Sequence, residues 1–320
     1  MSREHTLDAS TIHHDWDGAR EPVLAIQSGD VVHYELLMAG HGQVEETSTV
    51  DEVVWDFETI YNLAGPLHVD GALPGQTVEI DVLELTPGPW GWTTFIPGLG
   101  LLADDFPEPF LKTYDLRGGS AATVAPGVEV PIQPFLGTMG VPTDDPGQLS
   151  PFPPHKGGGN MDCRHLVTGS TLWLPIWREG ALFSCGDPHA AQGDGEVCVS
   201  AVECDMSASL RFHLRERAIP GPAFRVPEPI AIPGPYHGTM GIDADLMSGA
   251  RTAVRNMIAW LVDEHGLTRE DAYVLCSLAG DLKIHEVVDA RVWNVGLTLP
   301  LAVFVEDESA QRPIAGGPAR

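Results

Sequence analysis

Basic residues are scarce. The 320-residue chain sets 18 Lys and Arg against 45 Asp and Glu, a formal net charge of −27, and a field of that sign repels phosphate backbones and anionic lipid headgroups. Nucleic acid and membrane surfaces are therefore not expected partners. Long apolar runs are absent too: nothing approaches the roughly 18 consecutive apolar residues of a membrane-spanning helix, and the polar opening MSREHTLDASTIHHDWD has no apolar stretch of a signal peptide, so a cytoplasmic protein is expected. Cysteine is sparse. Cys163, Cys185, Cys198, Cys204 and Cys276 form no CxxC pair, which fits reduced thiols better than a disulfide framework or a thiolate zinc site. The acidic excess reads most simply as a solvated surface.

Turn formers are plentiful, with 35 Gly and 27 Pro, and they suit many short strands joined by many turns. A turn carrying Gly and a small polar residue precedes an alternating run three times: Ser28-Gly29-Asp30 before VVHYELL, Pro74-Gly75-Gln76 before TVEIDVLEL, and Thr168-Gly169-Ser170 before TLWLPIW. In the second copy Val78, Ile80 and Val82 share one face while Glu79 and Asp81 lie opposite, the period of a half-buried strand. From about Pro97 to Gly159 the chain is dense in Pro and Gly with little periodicity, and packed, ordered loops are expected. Near Asp245 the pattern changes. Leu246, Met247, Ala250, Val254, Met257, Ile258, Leu261 and Val262 follow a 3.6-residue period that Gly266 would end, and Thr268 would cap a second, shorter helix running to Gly280. The expected fold is mainly β, of antiparallel sandwich or barrel-like units, with a C-terminal helix pair, α+β overall. Its regions are residues 1–150 (β-rich, with long loops), 151–235 (central β) and 236–320 (helix pair plus strands), in one compact unit.

Chemistry concentrates in GGGNMD, residues 157–162, and CGDPHAAQGDGE, residues 185–196, where acids, amides and one histidine sit beside six glycines. Extended backbone puts Asp187 and His189 on one face, and Asp194 and Glu196 likewise. A reversal at the glycines would bring Asp187, Asp194, Glu196 and the imidazole within reach of one ion, a donor set that suits zinc, manganese or another divalent metal. Other readings stay open. Gly-Asp-Gly and Gly-Asp-Pro are also plain turn sequences; Cys185 is a possible nucleophile with His189 as its base; acidic Gly-rich loops also fit a non-enzymatic calcium- and ligand-binding protein. His68 or Asp70 completing a turn, His13 and His14 with Trp16 as a surface arm, and His237 lining a pocket or capping the helix are lesser features.

Those same stretches resemble the acetamidase/formamidase family. The resemblance lies in GGGNMD followed by TGSTLWLPIWREGALFSCGDPHAAQGDGEVC, together with AGPLHVDGALPGQTVEIDVLEL, PFLGTMGV and ARTAVRNMIAWLVDEHGLTREDAYVLCSLAGDLKIHEVVDA, and it covers roughly residues 10 to 308. It implies a mainly β, cytosolic homo-oligomer that hydrolyses short linear amides such as formamide or acetamide to a carboxylate and ammonia with the aid of a divalent metal, zinc being the expected ion. It carries Asn160, Asp162, Asp187, His189, Gln192, Asp194 and Glu196 over as functional candidates. The resemblance does not divide the roles; the chemistry of the side chains points to Asp162, Asp187 and His189 as metal ligands, Glu196 as the base and proton carrier, and Asp194 as a further ligand or the group that orients His189. Asn160 and Gln192 then bind the substrate or its oxyanion, and Trp173, Trp177, Phe135 and Met139 are candidate pocket walls. The sequence departs from the family pattern at Cys163-Arg164-His165 and at His68, which bears on substrate choice more than on reaction type.

Overall fold

The alternating segments fold as strands. Val31–Leu36, Thr77–Pro87 and Thr171–Pro175 each follow their glycine turn, and Gly29, Gly75 and Gly169 take φ of 101°, 91° and 89°, a conformation that only glycine adopts without strain. A computed structural model describes residues 2–100, 107–125, 128–192, 196, 198–227, 235–267, 272, 281–301 and 304. Nine strands form one sheet in the order Glu4–Leu7, Val31–Leu36, Met206–Arg215, Thr77–Pro87, Thr171–Pro175, Ala223–Val226, Tyr236–Asp243, Trp293–Pro300 and Asp281–Glu286. The first pair is parallel and the remaining pairs are antiparallel. A six-stranded sheet runs Gly158–Asn160, Phe135–Gly140, Ala181–His189, Leu63–Val69 and Ile12–His13, with Leu24–Ile26 added parallel to Leu63–Val69. In the larger sheet strands of residues 1–150 and 151–235 interleave, and those of residues 236–320 continue it at one end.

The two sheets pack face to face. Val78, Ile80, Val82, Leu172, Leu210 and Phe212 of the larger sheet share one core cluster with Leu67, Met139 and Phe183 of the smaller, and the rings of Phe183 and Phe212 meet edge to face at 5.0 Å. Truncating a buried phenylalanine of this kind costs about 3–5 kcal/mol, so this seam fixes how one sheet sits on the other. The helix Leu246–His265 covers the opposite face of the larger sheet. Asp245 caps it by accepting the Ser248 N–H at 2.7 Å, and Gly266 ends it at φ 64°. Its buried seam is Gly249, Ala253, Met257 and Leu261, one residue per turn, whereas Met247 is exposed. On the strand beneath, Thr239 donates to Ala253 O at 2.8 Å and His237 stacks on Trp260 at 3.9 Å, while Tyr236 and Met240 face the sandwich core.

Three expectations change. The helix pair is not supported: the described residues hold one α-helix, and the proposed second member, Thr268 to Gly280, lies outside them except for Ala272. The Pro- and Gly-rich middle is more regular than loops, carrying the hairpin of Trp90–Phe95 with Phe110–Asp115 and the strand Phe135–Gly140. Phe135–Gly140 is buried at every position and so shows no alternation, and the strands of the hairpin are short and only partly buried, so neither carries a clear period-2 signal. Nor do His13 and Trp16 form a surface arm. Both are buried, and His13 Nε2 lies 2.9 Å from the Ser184 hydroxyl. Among the described residues no helix is long and apolar enough to cross a membrane.

Five buried histidines are held neutral. Burial lowers the pKa of His13, His155 and His285 to about 4 and of His165 and His237 to about 3. Unfolded histidine binds its proton near pH 6.5, so the stability these groups contribute is complete above that pH and is lost as pH falls toward 4. Each contributes up to about 1.4 kcal/mol per pH unit to that slope. His237→Phe keeps a ring on Trp260 but removes one proton site. The free energy of unfolding should fall less steeply between pH 6 and 4 in this variant than in the parent; equal slopes would show that His237 is not held neutral.

Candidate metal and active site

Three adjacent strands make the floor of the site. Phe135–Gly140 runs between Gly158–Asn160 and Ala181–His189, with Thr138 opposite Asn160 on one side and Gly186 on the other, and Phe135 opposite His189. At the ends of these strands the backbone leaves extended geometry. Asp162, Asp187 and Glu196 take φ of 47°, 55° and 44°, a left-handed conformation that costs a residue with a side chain on the order of 1–3 kcal/mol and gathers at functional sites. The Asp162 N–H is fixed by Gly137 O at 3.1 Å. Gly137 is where the groups meet: a Cβ there would stand 2.6 Å from Asp187 Oδ2, 2.7 Å from Asp162 Oδ1 and 2.8 Å from His189 Cε1.

Six ionisable groups crowd this point. Asp162, Asp187, His189, Glu196, Glu203 and Asp289 are each no more than 7% exposed. His189 Nε2 lies 3.3 Å from Asp187 Oδ1 and 3.1 Å from Glu203 Oε2, and Nδ1 lies 3.9 Å from Asp162 Oδ1. Gln192 sets the imidazole. Its Nε2 donates to Asp162 O at 3.1 Å, which leaves its Oε1 to face His189 Nδ1 at 2.9 Å. Nδ1 therefore carries the hydrogen, and in the neutral ring the Nε2 lone pair points at Asp187 and Glu203.

Burial raises every shifted carboxyl in the set. Asp162 is pushed well above the usual carboxylate range by burial and the Asp187 charge, Glu196 by burial and the Asp162 charge, and Asp289 by burial and the Glu286 charge. Glu203 is raised by burial. Burial opposes charge on His189, but the Glu203 and Asp187 carboxylates outweigh it and hold the imidazole well above 6.5. Such a centre binds positive charge, as protons or as a metal ion. The donors suit a metal. Asp187, His189 and Glu203 offer ligand atoms within 4.8 Å of one another, and so do Asp162, His189 and Glu196. Both carboxylate oxygens of Asp162 are buried with no hydrogen-bond partner, an arrangement several kcal/mol unfavourable unless a cation or proton meets them.

Of the residues expected from the sequence, Asp162, Asp187, His189 and Glu196 converge here, and Asp194 lies outside the described residues. Asn160 and Gln192 stand beside these groups and already make hydrogen bonds. Asn160 Oδ1 accepts from the Thr138 hydroxyl at 2.8 Å, and its Nδ2 faces Asp289 Oδ2 at 2.8 Å, Phe152 O at 3.0 Å and the Tyr61 hydroxyl at 3.1 Å. Gln192 keeps one N–H and one oxygen lone pair beyond its bonds to Asp162 O and His189. Cys185 is no nucleophile: it is fully buried in the sandwich core beside Tyr34, and burial pushes its thiol up. Glu203 and Asp289 were missed. Glu203 stands between Val202 and Cys204, an acid inside an apolar run, and its backbone is paired with Trp92. Asp289 ends the IHEVVD stretch, where Glu286 Oε1 accepts the N–H groups of Val288 and Asp289, the latter at 2.6 Å, and burial raises Glu286 to about 7.

A cavity of about 400 Å³ opens over Asp187, His189, Glu196, Glu203 and Asp289, walled by Trp55, Phe57, Tyr61, Trp92 and Phe152. Of the expected walls, Phe135 touches the site through the edge of the His189 ring at 5.1 Å. Met139 lies in the core, Trp173 packs beside His237 and Trp177 lies under Lys156.

The sequence profile of the Acetamidase/Formamidase family matches residues 1–146 and 148–306. The formamidase of Methylophilus methylotrophus is 25% identical over 381 residues, 96% of this chain and 92% of that protein. The acetamidase of Mycolicibacterium smegmatis is 24% identical over 247 residues, 58% of this chain and 61% of that one, so the alignment spans less than two thirds of that relative. The crystal structure of an acetamidase from Bacillus halodurans superposes with a TM-score of 0.85 at 29% identity, covering 93% of this chain and 98% of that one. The fold is thus that of a class of β-rich hydrolases named for linear amides. The chain belongs to the Acetamidase/Formamidase family.

Gly137→Ala tests the convergence directly. The added methyl would occupy the point faced by Asp187, Asp162 and His189, so zinc affinity measured by titration calorimetry should fall at least about 10- to 100-fold while the thermal transition stays cooperative. Unchanged affinity would show that these side chains do not serve one ion.

Proposed function

We propose that this centre hydrolyses acyclic primary amides to a carboxylate and ammonia, with a divalent cation, zinc by donor type, held by Asp187, His189, Glu203 and Asp162. The observation that carries this reading is the buried, unpaired carboxylate of Asp162 beside His189 and Glu196. When bound, such an ion supplies Lewis acidity and lowers the pKa of water. The protein's own groups do the rest. Glu196, raised by burial and by Asp162, is suited to take a proton from the attacking water and return it to the departing nitrogen, work worth roughly 10²–10⁴ in rate. Water's oxygen bonds to the carbonyl carbon, the carbon–nitrogen bond breaks, and the proton leaves with ammonia. Gln192 keeps the His189 ring in the tautomer whose Nε2 can serve as a ligand. Asn160 anchors Asp289 at the rim of the centre. If Asp194 joins the site, it does so as a further carboxylate near His189.

Family membership supports a cytoplasmic homo-oligomer as the working form. Calcium binding without turnover is disfavoured, because an imidazole stands at the middle of the donor set and calcium takes oxygen ligands.

Glu196→Gln preserves the volume of the side chain and removes its proton chemistry. Ammonia release should drop by roughly 10²–10⁴ with zinc content unchanged; release at the parent rate would remove Glu196 from its assigned role.

A further inference from the structure

The cavity above the catalytic groups is far larger than the smallest amides need. Its roughly 400 Å³ would hold about 13 waters at ~30 Å³ each, whereas formamide and acetamide contribute three and four non-hydrogen atoms. Cavities upward of about 300 Å³ commonly take whole organic ligands. Its ionisable lining is Asp187, His189, Glu196, Glu203 and Asp289, and most of the remaining lining is apolar or aromatic. Trp55 and Trp92 lie 5.4 Å apart at a tilt of 42°, Phe57 and Phe152 lie 6.2 Å apart, and Tyr61 meets Phe152 edge-on at 4.9 Å.

Three of the polar groups in the lining are already paired within the protein. Ser200 Oγ accepts from Thr94 N at 2.8 Å and donates to Thr94 O at 2.9 Å, Thr94 Oγ1 donates to Phe110 O at 2.6 Å, and Trp92 Nε1 donates to Met38 Sδ at 3.1 Å. Among the described residues neither Lys nor Arg lines the cavity. A polar substrate tail would therefore recover few of its water hydrogen bonds, and an anionic tail would meet a carboxylate-rich end with no lysine or arginine to pair with. An apolar tail gains buried area and ring contacts.

We infer that the preferred substrates are uncharged primary amides whose acyl group is bulky and apolar, arylalkyl or branched alkyl, with the amide at the carboxylate end and the acyl group between the aromatic walls. This rests on the hydrolase reading above. Each well-fitted methylene in an apolar pocket changes specificity by roughly 10- to 200-fold, so the effect is large enough to measure.

Ammonia release by zinc-loaded protein would be measured with formamide, acetamide, isovaleramide and phenylacetamide. The kcat/KM for phenylacetamide should exceed that for acetamide at least ten-fold. Val288→Trp, which fills the cavity from its rim, should reduce the phenylacetamide-to-acetamide ratio at least ten-fold; if that variant does not fold, the parent ratio decides alone. Equal or faster turnover of acetamide or formamide by the parent overturns the acyl-group assignment and leaves amide hydrolysis standing. No ammonia from any of the four amides overturns the hydrolase reading and this assignment with it.

Discussion

Five carboxylates and one imidazole are buried together at a site on whose walls, among the described residues, there is no lysine or arginine. Taken from water, each ionised carboxylate loses solvation worth several kcal/mol even after relaxation, and its like-charged neighbours add repulsion. His189 offsets one charge, through Asp187 and Glu203. The remaining excess makes the centre an acceptor for protons and cations, and this demand explains why the carboxyls of Asp162, Glu196, Glu203 and Asp289 all shift upward together. A divalent ion held by these donors would answer it, and would supply Lewis acidity beside the cavity.

The fold keeps such a cluster from relaxing apart. Left-handed backbone at Asp162, Asp187 and Glu196 is unfavourable in isolation and persists because the neighbouring structure over-determines it. Asp162 is tied to Gly137, whose lack of a side chain leaves room for the convergence. Asp187 and His189 end a strand buried along its whole length. Behind the reacting groups Gln192 sets the His189 ring, Asn160 and Glu286 hold Asp289, and the backbone of Trp92 brackets Glu203. Packing precision in the sandwich thereby becomes positional precision at the carboxylates.

The sequence revealed what depends on local pattern. Alternation at Val78, Ile80 and Val82 reports a half-buried strand whatever lies around it, and Asp245 and Gly266 mark the helix ends because capping is local chemistry. The density of acids around His189 likewise announced a site. What depends on distant partners was hidden. Glu203 and Asp289 arrive from other strands and turns, and a lone acid in an apolar run looks like a strand's solvent face. The bonds of Asn160 and Gln192 to Thr138, Tyr61, Asp289 and His189 exist only in three dimensions. Cys185 and Asp187, two residues apart, should share a face in regular strand; the left-handed φ at Asp187 and the irregular register near Cys185 break that rule, sending the thiol to the core and the carboxylate to the site.

Elemental analysis of the purified protein, set beside its amidase activity, tests the cation demand most directly. About one divalent ion per chain is expected, with His189→Gln losing both the ion and turnover although the sandwich still unfolds cooperatively. Full activity in protein that carries no stoichiometric metal would contradict the premise that these buried carboxylates are arranged around an ion.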